Sequence, residues 1–188
     1  MENNEKVGVV TFHRAINYGA MLQAIALQRA IKDMGEDSEL VDYVDKLYDH
    51  YEISYKTSNP VKTVVKYLLS GKVRLKYKRF GEFLDKNADV SKKRYTKSDI
   101  ESIKEEDYKL FFTGSDQVFN PRIVDFDENY LLGFVKNKNK CFSYAASVGL
   151  GELNDEEKAW LYKYIKDFNQ ILIREKTGQA LYTETWNY

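Results

Sequence analysis

Three short polar segments hold the side chains of this chain that could carry out chemistry. The first, HRAINYGA, combines an imidazole, a guanidinium, an amide, a phenol and a glycine: His13, Arg14, Asn17, Tyr18 and Gly19. Glycine lets the backbone approach a ligand closely, and N–H groups at the start of a following helix can hold a phosphate or a carboxylate. The segment has neither a GxGxxG pattern nor a Walker lysine, so neither a dinucleotide site nor a P-loop is indicated. The simpler interpretation is that Asn17 caps a helix and His13 fills a polar turn.

The second segment, GSDQVFNP, places polar residues where an apolar run ends: Gly114, Ser115, Asp116, Gln117 and Asn120. An aspartate at the end of a strand can act as a general base toward a hydroxyl group. The alternative is structural, with Asp116 capping a helical turn and Ser115 satisfying local amide groups.

The third segment, SYAASVG, offers the Tyr144 phenol and the Ser147 hydroxyl among small residues that let neighbouring backbone come close. No metal site is predicted, because the acidic run DFDEN lacks the ligand spacing of a calcium loop and no Cys/His zinc pattern occurs. The sequence also has no GxSxG nucleophile elbow, so it does not indicate a hydrolase catalytic triad.

Apolar runs and helical patterns must position these segments. Strands are predicted over residues 7–12, 39–44, 108–113, 141–145 and 170–173, and helices over 21–34, 60–69, 73–86, 99–104 and 155–167. The first strand is apolar at nearly every position, which indicates a parallel sheet covered on both faces. The alternation predicts an α/β fold. Because ligands bind beyond the carboxyl ends of parallel strands, the loop after the first strand is the first candidate site.

Composition limits the classes of partner. The 188 residues carry 29 basic and 29 acidic side chains, so no whole-protein field attracts nucleic acid or an anionic membrane, although local patches stay open. The basic residues of the helix at 73–86 are interpreted as a solvated surface. The single Cys141 is expected to be a buried, inert thiol, and no apolar run approaches the ~20 residues of a membrane span. With a polar amino-terminal head, these features predict a cytoplasmic protein.

Taken together, the motifs resemble the polysaccharide pyruvyl transferase family. The resemblance rests on N-Y-G-A-x-L-Q, G-S-D-Q-V-F-N, FSYAASVG and ILIREKTG, and covers residues from about 6 to 178. It implies transfer of a pyruvyl group from phosphoenolpyruvate, the donor substrate, to a sugar hydroxyl as a ketal, in cell-surface polysaccharide biosynthesis and with no cofactor. It also implies a Rossmann-like, doubly wound, mostly parallel sheet, similar to one half of a GT-B-type two-domain transferase.

The resemblance further implies a cleft for a saccharide acceptor. Asp116 is expected to orient or deprotonate the acceptor hydroxyl, and His13 to have a polar or proton-shuttling role. Arg14 and Arg174 would supply cationic groups on one wall. The remaining substrate-binding residues are expected to be Asn17, Tyr18, Gly19, Gly114, Ser115, Gln117, Asn120, Tyr144 and Ser147.

Family members continue into a second domain, and this chain departs from their pattern after Gly178. We expect residues 1–178 to form an acceptor-side, Rossmann-like domain with a helical insertion at about 60–104, followed by a divergent tail at 179–188. The expectation is a truncated or split half with little activity alone, whose partner is a separate carboxyl-terminal half or a second copy. Two alternatives stay open: a non-catalytic sugar-binding or interaction module, and half of a nucleotide-sugar glycosyltransferase.

Overall fold

Five parallel strands form one sheet in the computed structural model, which describes residues 5–44 and 58–186. The strands are Lys6–Val10 (β1), Ser38–Leu40 (β2), Tyr108–Gly114 (β3), Cys141–Ala146 (β4) and Gln170–Ile173 (β5). Their order across the sheet is β2-β1-β3-β4-β5, and every pairing between neighbours is parallel. The predicted α/β, Rossmann-like fold is confirmed.

Helices cover both faces of the sheet. They are Tyr18–Asp33 (α1), Pro60–Leu69 (α2), Gly71–Asn87 (α3), Asp155–Ile165 (α4) and Lys176–Trp186 (α5). Successive side chains of a strand point to opposite faces, so Val9 of β1 joins a core with α1 and α3, whereas Val10 joins a second core with β3 and α4. Two separate cores, one on each face, define a doubly wound sheet and explain why Val7, Val9 and Val10 of β1 are all apolar.

Polar side chains set the helix boundaries where the sequence predicts them. Asn17 Oδ1 accepts hydrogen bonds from the N–H groups of Gly19 and Ala20 at the start of α1, so Asn17 is the helix cap that the simpler interpretation predicts. Asn59 caps α2, with Pro60 as its first residue. Asn154 and Glu157 form a reciprocal capping box at the start of α4. These caps satisfy N–H groups that have no partner inside the helix.

The edge of the sheet beside β2 differs from the prediction. The regular strand is short, and residues 90–95, where no strand was predicted, continue the edge through parallel bridges between Leu40 and Val90 and between Tyr43 and Tyr95. The predicted helix at 99–104 is a single 3₁₀ turn, Ile100–Ser102. The tyrosine-rich segment containing His50 lies mostly outside the described residues.

The strand order places a topological switch point between β1 and β3. In doubly wound sheets, the loops that follow the two strands at such a point diverge to opposite faces and leave a crevice at the carboxyl edge. Here those loops are residues 11–17 and 115–120, which are the first two polar segments. The fold therefore brings them together at the place where this architecture binds ligands.

Candidate active site

The side chain of Gln23, on α1, joins the loops after β1 and β3. Its Nε2 donates to Thr11 Oγ1 at 2.9 Å, and its Oε1 accepts from the Ser115 N–H at 3.1 Å and the Ser115 hydroxyl at 2.6 Å. The amide thus fixes both loops at one edge of the sheet. Gln23 was not predicted as a site residue, although it is the last residue of N-Y-G-A-x-L-Q.

A buried carboxylate organises the first loop from the neighbouring strand. Asp42, 4% exposed, follows β2 and accepts a bidentate pair of hydrogen bonds from Arg14, with Nε 2.6 Å from Oδ1 and Nη2 2.7 Å from Oδ2. Arg94 Nε donates to Oδ2 at 3.2 Å. Two guanidinium groups from distant parts of the chain therefore converge on this one carboxylate, a geometry that arginine forms readily.

The electrostatics of Asp42 follow from these contacts. Burial by itself raises the pKa of the carboxyl group. Hydrogen bonds with His13 and Arg14 outweigh burial and hold the pKa of Asp42 well below its usual range. Asp42 is therefore a fixed anion that orients Arg14 and does not exchange protons with a substrate near neutral pH.

His13 lies behind this ion pair. Its ring is 1% exposed, Nδ1 donates to the Thr11 carbonyl oxygen at 3.0 Å, and Nε2 lies 3.3 Å from Asp42 Oδ1. Both nitrogens contact protein oxygens, so the contacts support a positioning role through Asp42 and Arg14. The predicted proton-shuttling role stays a prediction.

Gly114 allows the ends of β3 and β4 to approach each other. Its φ is +120°, and a Cβ atom there would lie 2.2 Å from the Tyr144 carbonyl oxygen. Any side chain at this position would force the two strands apart. The GSDQ loop and the third polar segment are therefore held in direct contact.

Asp116 lies half-buried between these segments. Its carbonyl oxygen accepts from the Ser147 N–H at 2.9 Å, and its Oδ1 accepts from the Gln117 N–H at 2.8 Å. Within the described part of the chain, no other hydrogen bond to its carboxylate is present. This bond to the adjacent N–H is not a helix cap, because no helix directly follows Asp116 among the described residues, and it leaves one carboxylate oxygen for a ligand.

Two of the other predicted site residues are buried and shape the loops. Asn120, 2% exposed, accepts from the Arg122 N–H at 3.1 Å and donates to Gln117 Oε1 at 3.3 Å. Ser147, 1% exposed, donates to Glu175 Oε1 at 3.1 Å, and that oxygen also accepts from the Val148 N–H at 2.7 Å. Their contacts are with protein, and their predicted contact with substrate is not tested.

The exposed predicted residues spread along the carboxyl edge. Tyr18 is 71% exposed and Tyr144 is 47% exposed, and the Arg174 side chain is half exposed beyond β5. Because neighbouring strands lie ~4.8 Å apart, β5 is about 14 Å from β1, so Arg14 and Arg174 mark opposite ends of the edge. Gly19 lies in the first turn of α1, beside the Asn17 cap.

Among residues 5–44 and 58–186, no three His, Cys, Asp or Glu side chains converge as a metal site would require. Across those same ranges, every helix is too short or too polar to cross a lipid bilayer.

The chain is thus an α/β protein with a doubly wound parallel sheet, whose switch-point loops carry a carboxylate and a guanidinium where this architecture binds ligands. The family model described as "Polysaccharide pyruvyl transferase" matches residues 17–188, and this chain belongs to that family. The matched region includes the GSDQ loop, whereas His13 and Arg14 lie just before it. No match was found among curated proteins or among solved structures.

Proposed function

We propose that this chain takes part in the transfer of a pyruvyl group from phosphoenolpyruvate to sugar hydroxyls as a ketal. The observation that carries the proposal, beside family membership, is the Gln23 bridge between Thr11 and Ser115. The bridge joins the loop that carries Arg14 to the loop that carries Asp116, so the proposed base and the proposed anion contact would face the same crevice.

The reaction joins two sugar hydroxyl oxygens to the enol carbon of phosphoenolpyruvate. One hydroxyl proton reaches the methylene carbon, which becomes a methyl group, and the other leaves with inorganic phosphate as the C–O bond to phosphate breaks. Sugar, phosphoenolpyruvate, ketal and phosphate then balance with no oxidant or reductant. The protein has to bind two anionic groups of the donor and to accept a hydroxyl proton.

Asp116 is the proposed general base. Its carboxylate is oriented by the Gln117 N–H, and its second oxygen faces no donor among the described residues. A hydroxyl group bound against Ser115 or Tyr144 would lie on the same strand ends, because Gly114 and Tyr144 are in register. Arg14, oriented by Asp42, is the proposed contact for an anionic group.

The test combines binding and product analysis. The chain is incubated with phosphoenolpyruvate and a panel of hexose and N-acetylhexosamine oligosaccharides, with ketal detected by mass spectrometry, phosphate by ³¹P NMR, and saccharide binding by calorimetry. If Asp116 is the base, Asp116→Asn lowers ketal formation about 10²- to 10⁴-fold while saccharide affinity stays within about twofold. Asp155→Asn, on the exposed start of α4, is the matched control and changes neither.

Four outcomes separate the assignments. Ketal formation that persists in Asp116→Asn contradicts the base assignment. Saccharide binding without ketal and without phosphoenolpyruvate binding favours the non-catalytic sugar-binding module, whereas binding of both without ketal agrees with the expected half that has little activity alone. A chain that binds neither phosphoenolpyruvate nor any saccharide in the panel overturns the proposed function.

A further inference from the structure

The consecutive helices α2 and α3, residues 60–87, form a segment that exposes many apolar side chains. No residue of α2 is buried, and α3 buries only Phe80 and Leu84. The apolar side chains of α2 recur at helical spacing and are between 48% and 81% exposed: Val61, Val64, Val65, Leu68 and Leu69. A helix with such a stripe normally packs it against other apolar groups, so this surface is built to meet a partner.

The α2–α3 segment also carries a large net positive charge. Residues 60–87 contain eight Lys or Arg and two Asp or Glu, a net charge of +6 in a chain whose total is zero. Seven of the eight cations are exposed: Lys62, Lys66, Lys72, Lys76, Lys78, Arg79 and Lys86. The partner therefore has to offer both an apolar phase and negative charge.

The α2–α3 segment is attached to the rest of the protein through α3. The Tyr18 ring, on α1, packs 4.7 Å from the Phe80 ring, and the Arg74 guanidinium lies 3.6 Å over the Tyr67 ring at the junction of α2 and α3. A groove of about 350 Å³ lies between α1 and α3. Its walls carry two cations beside apolar residues: Lys76 and Arg79 with Tyr18, Met21, Leu22, Phe80 and Phe83.

We propose that the α2–α3 segment docks on the surface of an anionic lipid bilayer. An amphipathic helix with Lys and Arg flanking an apolar face lies in the plane of the interface, with that face at the boundary between headgroups and acyl chains. Anionic headgroups attract each basic residue near the surface. A second copy of this segment is a poorer occupant, because apposing two surfaces of net charge +6 is repulsive. This inference does not depend on the proposed reaction.

Vesicle sedimentation tests the docking. The chain is mixed with vesicles of phosphatidylcholine alone or of phosphatidylcholine with phosphatidylglycerol, at low and high NaCl. We expect sedimentation with the anionic vesicles only, and weaker sedimentation at high salt, since salt screens exposed charges.

Two variant pairs separate apolar from charge contributions. Leu68→Glu lowers the partition coefficient about tenfold or more, whereas Met34→Glu, at the 73% exposed residue that follows α1, leaves it within about twofold. Lys62→Glu/Lys66→Glu lowers it about tenfold or more, whereas Lys104→Glu/Lys136→Glu, at exposed positions outside the α2–α3 segment, does not. Circular dichroism of each variant checks that the fold is retained.

The proposal is overturned if the chain stays in the supernatant with anionic vesicles, or if Leu68→Glu and Met34→Glu sediment alike. Gel filtration gives a further overturning result. A dimer that Leu68→Glu dissociates, combined with no vesicle binding, would show that a second copy covers the stripe.

Discussion

At the scale of single residues, Asp42 determines the arrangement of the first loop. Sequence reasoning singled out residues within the polar segments and missed it. Asp42 stands alone at the end of an apolar strand, and its partners are 28 residues before it, at Arg14, and 52 residues after it, at Arg94. No local motif predicts such a contact. The edge at residues 90–95, which brings Arg94 close to Asp42, is itself irregular.

Replacing Asp42 tests how much its ion pair contributes to the free energy of unfolding. In Asp42→Asn the carboxylate charge is lost while Arg14, 16% exposed, stays in place, so the guanidinium loses its counter-charge. Removing one partner of a mostly buried pair costs about 3 kcal/mol of unfolding free energy. Urea denaturation measures this loss. Asp89→Asn is the matched control, because the Asp89 side chain is 68% exposed beside Lys32 and such pairs contribute less than about 1 kcal/mol.

The same pair predicts an acid dependence. The pKa of Asp42 is lower in the folded chain than the ~3.9 of an unfolded aspartate, so its stabilisation is complete above about pH 4 and is lost as pH falls through the folded value. The difference in unfolding free energy between the natural chain and Asp42→Asn should therefore shrink between about pH 5 and pH 2. A difference that stays constant over this range would contradict the ion-pair account.

Gly114 gives a second residue-level prediction. A Cβ atom at a φ of +120°, 2.2 Å from the Tyr144 carbonyl oxygen, has to move backbone and not a flexible side chain. Gly114→Ala should lower the unfolding free energy by about 3 kcal/mol or more, measured by urea denaturation. Gly81→Ala is the control: Gly81 lies inside α3 with no atom near its Cβ position, so alanine should stabilise by about 0.5–1 kcal/mol. Equal effects would show that the β3–β4 contact is less tight than described.

At the scale of elements, most of the fold follows from local pattern. β5 was predicted with its observed ends, and α1, α2, α3 and α4 begin at or near the caps and breakers that the sequence shows. The edge at residues 90–95 could not be predicted, because its pairing with residues 40–43 depends on contacts about 50 residues apart in sequence. For the same reason the Gln23 bridge and the Asp42 cluster were missed, whereas Asn17 as a cap was a local and correct alternative.

The two capped helices α2 and α4 should differ in how strongly their caps affect global stability. Asn154 caps α4, which buries Leu161 and Ile165 in the core, so Asn154→Ala should lower the global unfolding free energy by about 1 kcal/mol. Asn59 makes the equivalent cap on α2, which buries no residue. Asn59→Ala should therefore change global stability by less than about 0.5 kcal/mol, because α2 can open locally. Hydrogen exchange should show fast-exchanging α2 amides in the natural chain and in Asn59→Ala. Equal protection of α2 and α4 would contradict local opening of α2.

At the scale of the whole molecule, Cys141 reports on global opening. The thiol is fully buried at the start of β4, an interior strand of the sheet, and burial raises its pKa to about 12. The thiolate is the reactive form, so neither access nor ionisation permits reaction in the folded chain. Because β4 pairs with both β3 and β5, exposing Cys141 requires the sheet to separate.

We expect Ellman's reagent to react with Cys141 at a rate limited by global unfolding. Asp42→Asn should therefore speed the reaction in proportion to its loss of stability, and Asn59→Ala should not. Lys136→Cys in a Cys141→Ser background, at an exposed position, should react at the rate of a free thiol. The contrary result is fast labelling of Cys141 in the natural chain with an unchanged far-ultraviolet circular dichroism spectrum. It would mean that the sheet opens locally around β4, and that the two cores do not unfold as one unit.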